Sequence, residues 1–138
     1  MGREWAPYMI VDSSALVAIL LNEPEALRLT TVIAGSSVCR LPASCLLEVS
    51  MLILGRGNED GIRDLDLNLA KSKMQISAFT ESQALLARAA FDRYGKGRHP
   101  AKLNFGDCMS YAVAKETGEE LLFKGTDFAL TDIAVAAY

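Results

Sequence analysis

The sequence predicts an α/β domain: a short, parallel, five-stranded sheet with helices on both faces. Short apolar runs alternate with longer segments of helical periodicity, which is the pattern of successive strand–helix–strand units. The first apolar run ends on an aspartate and leads directly into a helix. No linker or low-complexity segment divides the 138 residues. We therefore expect a single domain, 1–138, in which residues 1–7 are a loose lead-in.

The first strand is predicted from Tyr8 to Val11, where four largely apolar residues precede Asp12. A helix follows from about Ser14 to Asn22, with Ser13 or Ser14 as its N-cap. In an open parallel sheet, ligands bind beyond the carboxyl ends of the strands. Asp12 therefore lies where a functional site is expected.

The remaining elements follow from apolar periodicity and from capping or breaking residues. The helices are predicted over 25–34, 43–54, 58–73, 80–94 and 105–117, with a single helical turn after Asp127. The strands are predicted over 37–41, 74–79 and 120–123, with a fifth, edge strand over 133–136. The loop 95–100 separates the last two long helices.

Composition excludes several classes of protein. The three cysteines and the single histidine, His99, match no zinc-binding spacing, so the thiols are predicted to be reduced and buried. A net charge of −3 excludes a globally basic nucleic-acid binder but not a local basic patch. No apolar run approaches the ~20 residues that span a bilayer. The first residues lack the apolar core of a signal peptide, so the expected location is the cytoplasm.

Four carboxylates stand out by position. Asp12 ends the first strand, Asp127 follows the fourth, Asp107 lies in the first turn of the helix that feeds the fourth strand, and Glu48 interrupts an apolar helix. In a parallel sheet Asp12, Asp107 and Asp127 can meet at one edge.

Each carboxylate also has a purely structural interpretation. Asp12 can accept backbone N–H groups of its turn, Asp107 can complete a capping box with Asn104, and Asp127 can cap a short helix. Burying Glu48 is unfavourable by several kcal/mol unless it is paired or binds a cation. The alternatives for Glu48 are a solvated rim or a partner among Arg40, Arg56 and Lys124.

Carboxylates that meet raise one another's pKa unless a cation offsets them. Mg²⁺ and Mn²⁺ are the cations that prefer all-oxygen sites. The chemistry best suited to such a site is metal-assisted hydrolysis of a phosphodiester.

The segments around these acids resemble the PIN-domain ribonucleases, especially the VapC-type toxins of bacterial toxin–antitoxin pairs. The resemblance rests on Ile10–Leu16, on Asn22–Glu25, on Ala43–Val49, and on Leu103–Cys108 with Leu121–Phe128. It extends over essentially the whole chain from Tyr8, with the acidic segments in the order of the family.

The resemblance implies an endoribonuclease that depends on Mg²⁺ or Mn²⁺ and cleaves RNA with a metal-activated water. Asp12 and Asp107 would be metal ligands, and Glu48 and Asp127 would bind the metal directly or through water. Ser13 would hold the Asp12 turn. Thr126, which stands where the family often has asparagine, would support Asp127. The resemblance also implies a homodimer and a VapB-like antitoxin whose tail covers the site.

A basic segment just before Asp107 contains Arg93, Lys96, Arg98 and Lys102. These cations suit the phosphate backbone of RNA, although an ordinary solvated loop has the same composition. Tyr94 and Phe105 are candidates for stacking on bases, with core packing the more common role of such a phenylalanine.

The first two helices carry more apolar residues than one buried stripe requires, so they offer a surface for a partner or a second copy. These residues are Leu16, Ile19, Leu20, Leu27 and Leu29. Complete burial of both helices is the other interpretation.

Three other functions compete with the nuclease. A PIN fold that no longer cleaves, acting only through a protein partner, should have lost at least one of the four acids. A phospho-acceptor domain needs adjacent acids near its first strand and an acceptor at the end of a middle strand, where Ser77-Ala78-Phe79 has none. A dehalogenase-type phosphatase needs an aspartate at the position of Ser14.

Overall fold

The computed structural model describes residues 8–57 and 59–138. Within these ranges the strands are β1 (Tyr8–Val11), β2 (Val38–Pro42), β3 (Gln75–Ser77) and β4 (Glu120–Leu122). The helices are α1 (Ser13–Leu20), α2 (Ala26–Ala34), α3 (Ala43–Gly55), α4 (Glu59–Lys71), α5 (Glu81–Tyr94) and α6 (Phe105–Thr117), followed by a 3₁₀ helix, Asp127–Leu130. All strand pairs are parallel, in the order β3-β2-β1-β4. The α/β fold with helices around a parallel sheet is confirmed.

The core is divided by the alternation of side chains along the central strand. Met9 and Val11 of β1 face one layer, where they pack with residues of α1, α2, α3 and α4. Ile10 faces the other layer, which α5 and α6 cover. All three side chains are fully buried. Because successive residues of a strand point to opposite faces, a continuous apolar run is what a doubly covered strand requires.

The predicted fifth strand is wrong as a strand. Residues 133–136 do reach the edge of β4, and Leu121 donates its N–H to Ala134 O (2.9 Å) and accepts from Ala136 N (3.0 Å). This contact is a single parallel bridge between Leu121 and Val135. The sheet therefore has four strands in the described part of the chain, and the C-terminal segment adds a bridge at the edge.

The predicted N-cap of α1 is wrong, and the predicted N-cap of α6 is confirmed. Asp12, rather than Ser13 or Ser14, is the N-cap of α1. The strand and the helix are thus joined through Asp12 alone. Helix α6 has the predicted start, because Asn104 and Asp107 form a reciprocal capping box.

Two predictions lie outside the described residues: the lead-in at 1–7 and the start of the fourth helix at Asn58. Within the described ranges, no helix has both the length and the apolar character that crossing a bilayer needs.

Candidate functional site

The site is built around the junction of β1 and α1. The side chain of Asp12 is only 2% exposed. Its Oδ2 accepts the N–H of Ser14 at 3.0 Å, and its Oδ1 accepts the hydroxyl of Ser110 at 2.5 Å. Its own N–H donates to Leu122 O of β4. The carboxylate is therefore fixed at the point where the strand order reverses between β1 and β4, which is where open α/β sheets place their ligands.

Ser110 is a functional candidate that the sequence analysis missed. It lies on α6, is fully buried, and also contacts Cys45 Sγ at 3.2 Å. Burial, and next the charge of Asp12, raise the pKa of the Cys45 thiol to about 12, so the thiol is neutral. The available signal was a lone hydroxyl one helical turn after Asp107, in an otherwise apolar stretch.

Glu48 lies in the second turn of α3, and its carboxylate reaches Gly106 in the first turn of α6. Its side chain is exposed, which agrees with the solvated-rim alternative, and its Oε1 accepts the hydroxyl of Ser13 at 2.7 Å. A Cβ placed on Gly106 would lie 2.6 Å from Glu48 Oε2. Glycine at position 106 thus makes room for the Glu48 carboxylate beside Asp107.

Two of the cations proposed as partners of Glu48 are engaged elsewhere. Arg40 pairs with Glu119 at 3.0 Å, and Lys124 pairs with Glu23 at 2.7 Å. Ser13 acts on Glu48, whereas the Asp12 turn that it was predicted to hold is closed by the N–H of Ser14.

The pKa of Asp107 is raised by its burial and by the charges of the other three acids. Burial is the main cause that raises the pKa of Asp107 to about 6, and the charges of Asp12, Asp127 and Glu48 add to it. The hydrogen bond from the N–H of Asn104 to Oδ2 (3.1 Å) opposes the increase. The charges of Asp12, Asp127 and Glu48 therefore reach Asp107, because helices antiparallel to the strands begin at the edge where the strands end.

Asp127 and Thr126 lie at the rim. Asp127 is the exposed first residue of the 3₁₀ helix, two residues after Gly125, whose φ of 110° lets the chain turn away from β4. Thr126 is the N-cap residue of this helix but forms no side-chain capping hydrogen bond. The helix-cap interpretation of Asp127 is therefore wrong, since Asp127 belongs to the helix.

The residues present suit a hard divalent cation by their chemistry. Within the described ranges, no three His, Cys, Asp or Glu side chains lie close enough together to form a ready-made metal cage. Over the same ranges, the four acids have no salt bridge to a lysine or arginine. Mg²⁺ commonly uses only one or two carboxylates and keeps several waters. Asp12 and Asp107, which have no protein counter-charge within these ranges, are a donor set of this kind.

The basic segment is a closed loop. Lys96 N donates to Leu103 O, and Leu103 N donates to Tyr94 O. Arg98 pairs with Asp92 at 3.2 Å, and Arg93 lies 3.8 Å from Asp132. Lys96 and Lys102 have exposed side chains, and neither has an ion pair in the part of the chain that the structure describes.

The two aromatic residues considered for stacking on bases, Tyr94 and Phe105, differ in burial. Tyr94 is buried, with its ring edge against His99, whose Nδ1 accepts the N–H of Ala101. Phe105 is 81% exposed, so the core position that its type favoured is wrong.

The apolar surface lies on a different helix from the one expected. Leu16 and Leu29 are fully buried, and Leu27 is the exposed member of the set predicted on α1 and α2. On α3, Leu47, Met51 and Leu54 are each at least 60% exposed and lie at helical spacing. We call these three residues the α3 stripe.

Comparison with known proteins places the chain in a family. The family model described as "PIN domain" matches residues 9–134. The chain is 48% identical over 126 residues to "Ribonuclease VapC" of Mycolicibacterium smegmatis, covering 91% of this chain and 98% of that protein. It is 46% identical over 129 residues to "Ribonuclease VapC30" of Mycobacterium tuberculosis, covering 94% and 98%.

Solved structures share the fold at low identity. The crystal structure of VapC20 from Mycobacterium tuberculosis, described as a sarcin-ricin loop cleaving toxin, matches with a TM-score of 0.75, 16% identity, and coverage of 93% of this chain and 98% of that one. VapBC2 from Rickettsia felis, bound to a DNA fragment from its promoter, matches with a TM-score of 0.72, 14% identity, and coverage of 95% and 98%. The chain belongs to the PIN-domain family and, within it, to the VapC ribonucleases.

Proposed function

We propose that the chain is a divalent-metal-dependent endoribonuclease and the toxin component of a toxin–antitoxin pair, acting on RNA in the cytoplasm. The observation that carries the proposal is the geometry of the site: Asp12 is fixed at the end of β1, and the Glu48 carboxylate lies against Gly106, next to Asp107. Burial, and then the charges of Asp12, Asp127 and Glu48, raise the pKa of Asp107 to about 6. The curated relatives with 46–48% identity are named as ribonucleases. Nothing supports the inactive alternative, since all four acids are present.

The cation that fits this donor set is Mg²⁺ or Mn²⁺, held by Asp12 and Asp107, with Glu48 and Asp127 binding directly or through water. When bound, the ion supplies an activated water and offsets charge on the phosphate.

The chain's own residues orient the reaction. Ser14 N–H and the Ser110 hydroxyl fix the two oxygens of Asp12. Ser13 holds Glu48 through Oε1, so Oε2 is the oxygen positioned to accept a proton from the attacking water. The capping box fixes Asp107 relative to the start of α6. Asp127, exposed at the rim, meets the substrate side of the site.

The direct test is cleavage of a mixed, structured RNA pool by the purified protein free of partner. The pool is incubated with Mg²⁺, with Mn²⁺ and with a chelator, beside the Asp12→Asn variant. Cuts that need the metal and are absent from the variant support the proposal. A protein that neither cleaves nor binds Mn²⁺ at millimolar concentration in calorimetry contradicts it.

Replacing Gly106 with alanine should displace the Glu48 carboxylate and reduce cleavage by roughly 10- to 100-fold, the range typical of lost positioning groups. The new Cβ would meet Glu48 Oε2 and Oε1 at 2.6 and 2.8 Å. Because the clash is with the end of a flexible side chain, the melting temperature should change little. The measurement is kcat/KM together with thermal unfolding.

Gly55→Ala is the matched control for Gly106→Ala, because a Cβ at position 55 has no neighbour within 4 Å. Its activity should match that of the wild type. If Gly106→Ala retains full activity, Glu48 does not act where the structure places it.

The basic loop is proposed to hold the RNA backbone through Arg93, Lys96, Arg98 and Lys102. Replacing Lys96 and Arg98 together with alanine should weaken RNA binding and lower the slope of log K against log salt by roughly 1.4, at ~0.7 per phosphate contact on single strands. The affinity is measured from 50 to 200 mM salt. Replacing Lys71 and Lys73, which lie outside this loop, is the control. An unchanged slope removes the loop from the RNA path.

The α3 stripe supports a protein partner. Leu47 is adjacent to Glu48, so a segment that covers the stripe also lies beside the site. An amphipathic helix that lays its apolar face on an exposed apolar surface is a common mode of recognition, and the matched structures include a toxin–antitoxin complex from Klebsiella pneumoniae. We propose that a VapB-like antitoxin covers the active site there and that the toxin forms a homodimer.

A further inference from the structure

A second feature of the molecule is an apolar groove that is lined by Phe105 and Cys108, close to Asp107 in the chain. Helices α5 and α6 form a groove of about 440 Å³. Its walls are apolar except for Arg88, and they include Phe79, Phe91, Phe105 and Met109. Clefts of this size and character are typical of sites for small, flat ligands.

Phe105 is exposed because of where α6 begins. It is the first residue of the helix, after the N-cap Asn104 and two residues before Asp107. The reciprocal capping box fixes the backbone on either side of it. A phenylalanine that is 81% exposed adds little to the core, yet its backbone is fixed two residues from Asp107.

Phe91 forms the opposite wall and is also placed precisely. Its ring lies against Gly95, where a Cβ would approach ring atom Cδ1 at 2.6 Å. The guanidinium of Arg98 lies 5.9 Å from the centre of this ring. The groove therefore combines exposed aromatic rings with cations, since Arg88 is in its wall and Arg98 lies against Phe91.

We propose that this groove receives an unpaired nucleobase of the RNA, from a nucleotide close to the phosphate that is cut. The inference rests on the proposed function, because it assumes an RNA substrate at Asp107. Unstacked bases of single strands and loops stack on aromatic side chains, and the neighbouring cations then meet the phosphates on either side. The groove thus selects single-stranded or looped RNA over duplex, whose bases are not available.

Charge favours RNA over a second copy of the chain as the occupant. A two-fold interface would bring the same patch of each copy together, and with it Arg88 of both copies, which has no ion pair within the described ranges. A polyanion is attracted to this guanidinium.

The test measures RNA binding in the Asp12→Asn background with Mg²⁺, so that cleavage does not interfere. Phe105→Ala should weaken the binding of an unstructured RNA oligonucleotide by roughly tenfold, the effect of one lost stacking contact, and leave binding of the matched duplex unchanged. Phe105→Trp should retain the affinity. When Trp5, the only tryptophan, is replaced by phenylalanine, the fluorescence of the new tryptophan should be quenched by the oligonucleotide.

Leu85→Ala is the control, because Leu85 is a half-exposed apolar residue of the same α5 helix outside the groove wall. Equal losses for single strand and duplex, or no loss for either, overturn the proposal. A Phe105→Ala protein that turns from dimer to monomer in analytical ultracentrifugation also overturns it, because a second copy would then cover the groove. If the wild type cleaves RNA while Phe105→Ala binds RNA as the wild type does, only the proposal that the groove receives a nucleobase is wrong. If the wild type neither cleaves RNA nor binds metal, the proposed function itself fails.

Discussion

Replacing Asp12 with asparagine is expected to abolish RNA cleavage, by about a thousandfold or more, because a negative ligand proposed for the cation is lost. Asp12 is almost fully buried, and both of its oxygens are fixed by hydrogen bonds, from Ser14 N–H and from the Ser110 hydroxyl. Metal titration of the variant should show a matching loss of affinity.

The fold should survive this substitution. The carbonyl oxygen of an asparagine can still accept the N–H of Ser14, which preserves the N-cap of α1. Its amide can donate to the Ser110 hydroxyl, which in turn can donate to Cys45 Sγ. The circular dichroism spectrum should therefore match that of the wild type.

The control is Asp66→Asn, which removes an exposed acid of α4 and should leave cleavage unchanged. Near-wild-type cleavage by Asp12→Asn with saturating metal would contradict the assignment of Asp12 as a ligand. If Asp12→Asn loses both activity and fold, Asp107→Asn tests the metal-ligand proposal instead, because its side-chain oxygen can still accept the N–H of Asn104.

The sequence predicted most of the scaffold because the signals are local. Tyr8–Val11 is an uninterrupted apolar run, which only a strand covered on both faces requires, and Asn104 with Asp107 is a complete capping box. The fifth strand failed because pairing depends on distant partners: residues 133–136 meet β4 through one bridge. Periodicity gives no information about the length of such a contact.

The acids of the site were predictable as a set, since strand ends and helix starts share one edge of a parallel sheet. The residues that position these acids could not be predicted from the sequence. Ser110 reaches Asp12 across 98 positions of the chain, and the close contact of Glu48 with Gly106 joins two helices. The exposure of Phe105 depends on how α6 meets the sheet, and its residue type predicts the opposite.

Replacing Asp107 with asparagine is expected to abolish cleavage and, in the absence of metal, to stabilise the protein at neutral pH. The pKa of Asp107 is raised from 3.8 to about 6 by burial and by three other carboxylates. An acid whose folded pKa is raised contributes stability below its unfolded pKa, and the protein loses that contribution as the pH rises from about 4 through 6. A neutral asparagine removes this loss, while its side-chain oxygen can still accept the N–H of Asn104.

The gain should be roughly 1 kcal/mol, since solvent screens a partly buried group and the charge also favours the helix N-terminus, which opposes the change. Thermal unfolding in chelator should show a rise of about 3 °C at pH 8 that disappears toward pH 4. Excess Mg²⁺ should reduce the difference, because it stabilises the wild type by binding the folded state.

Asp132→Asn gives the opposite result and serves as the control. Hydrogen bonds from Lys115 and Tyr111 lower the pKa of Asp132, so its contribution is present above its unfolded pKa and is lost as the pH falls. This variant should therefore melt below the wild type at pH 8, with or without Mg²⁺. If Asp107→Asn instead lowers the melting temperature in chelator at pH 8, the four carboxylates do not converge on Asp107, and the electrostatic basis of the metal site is wrong.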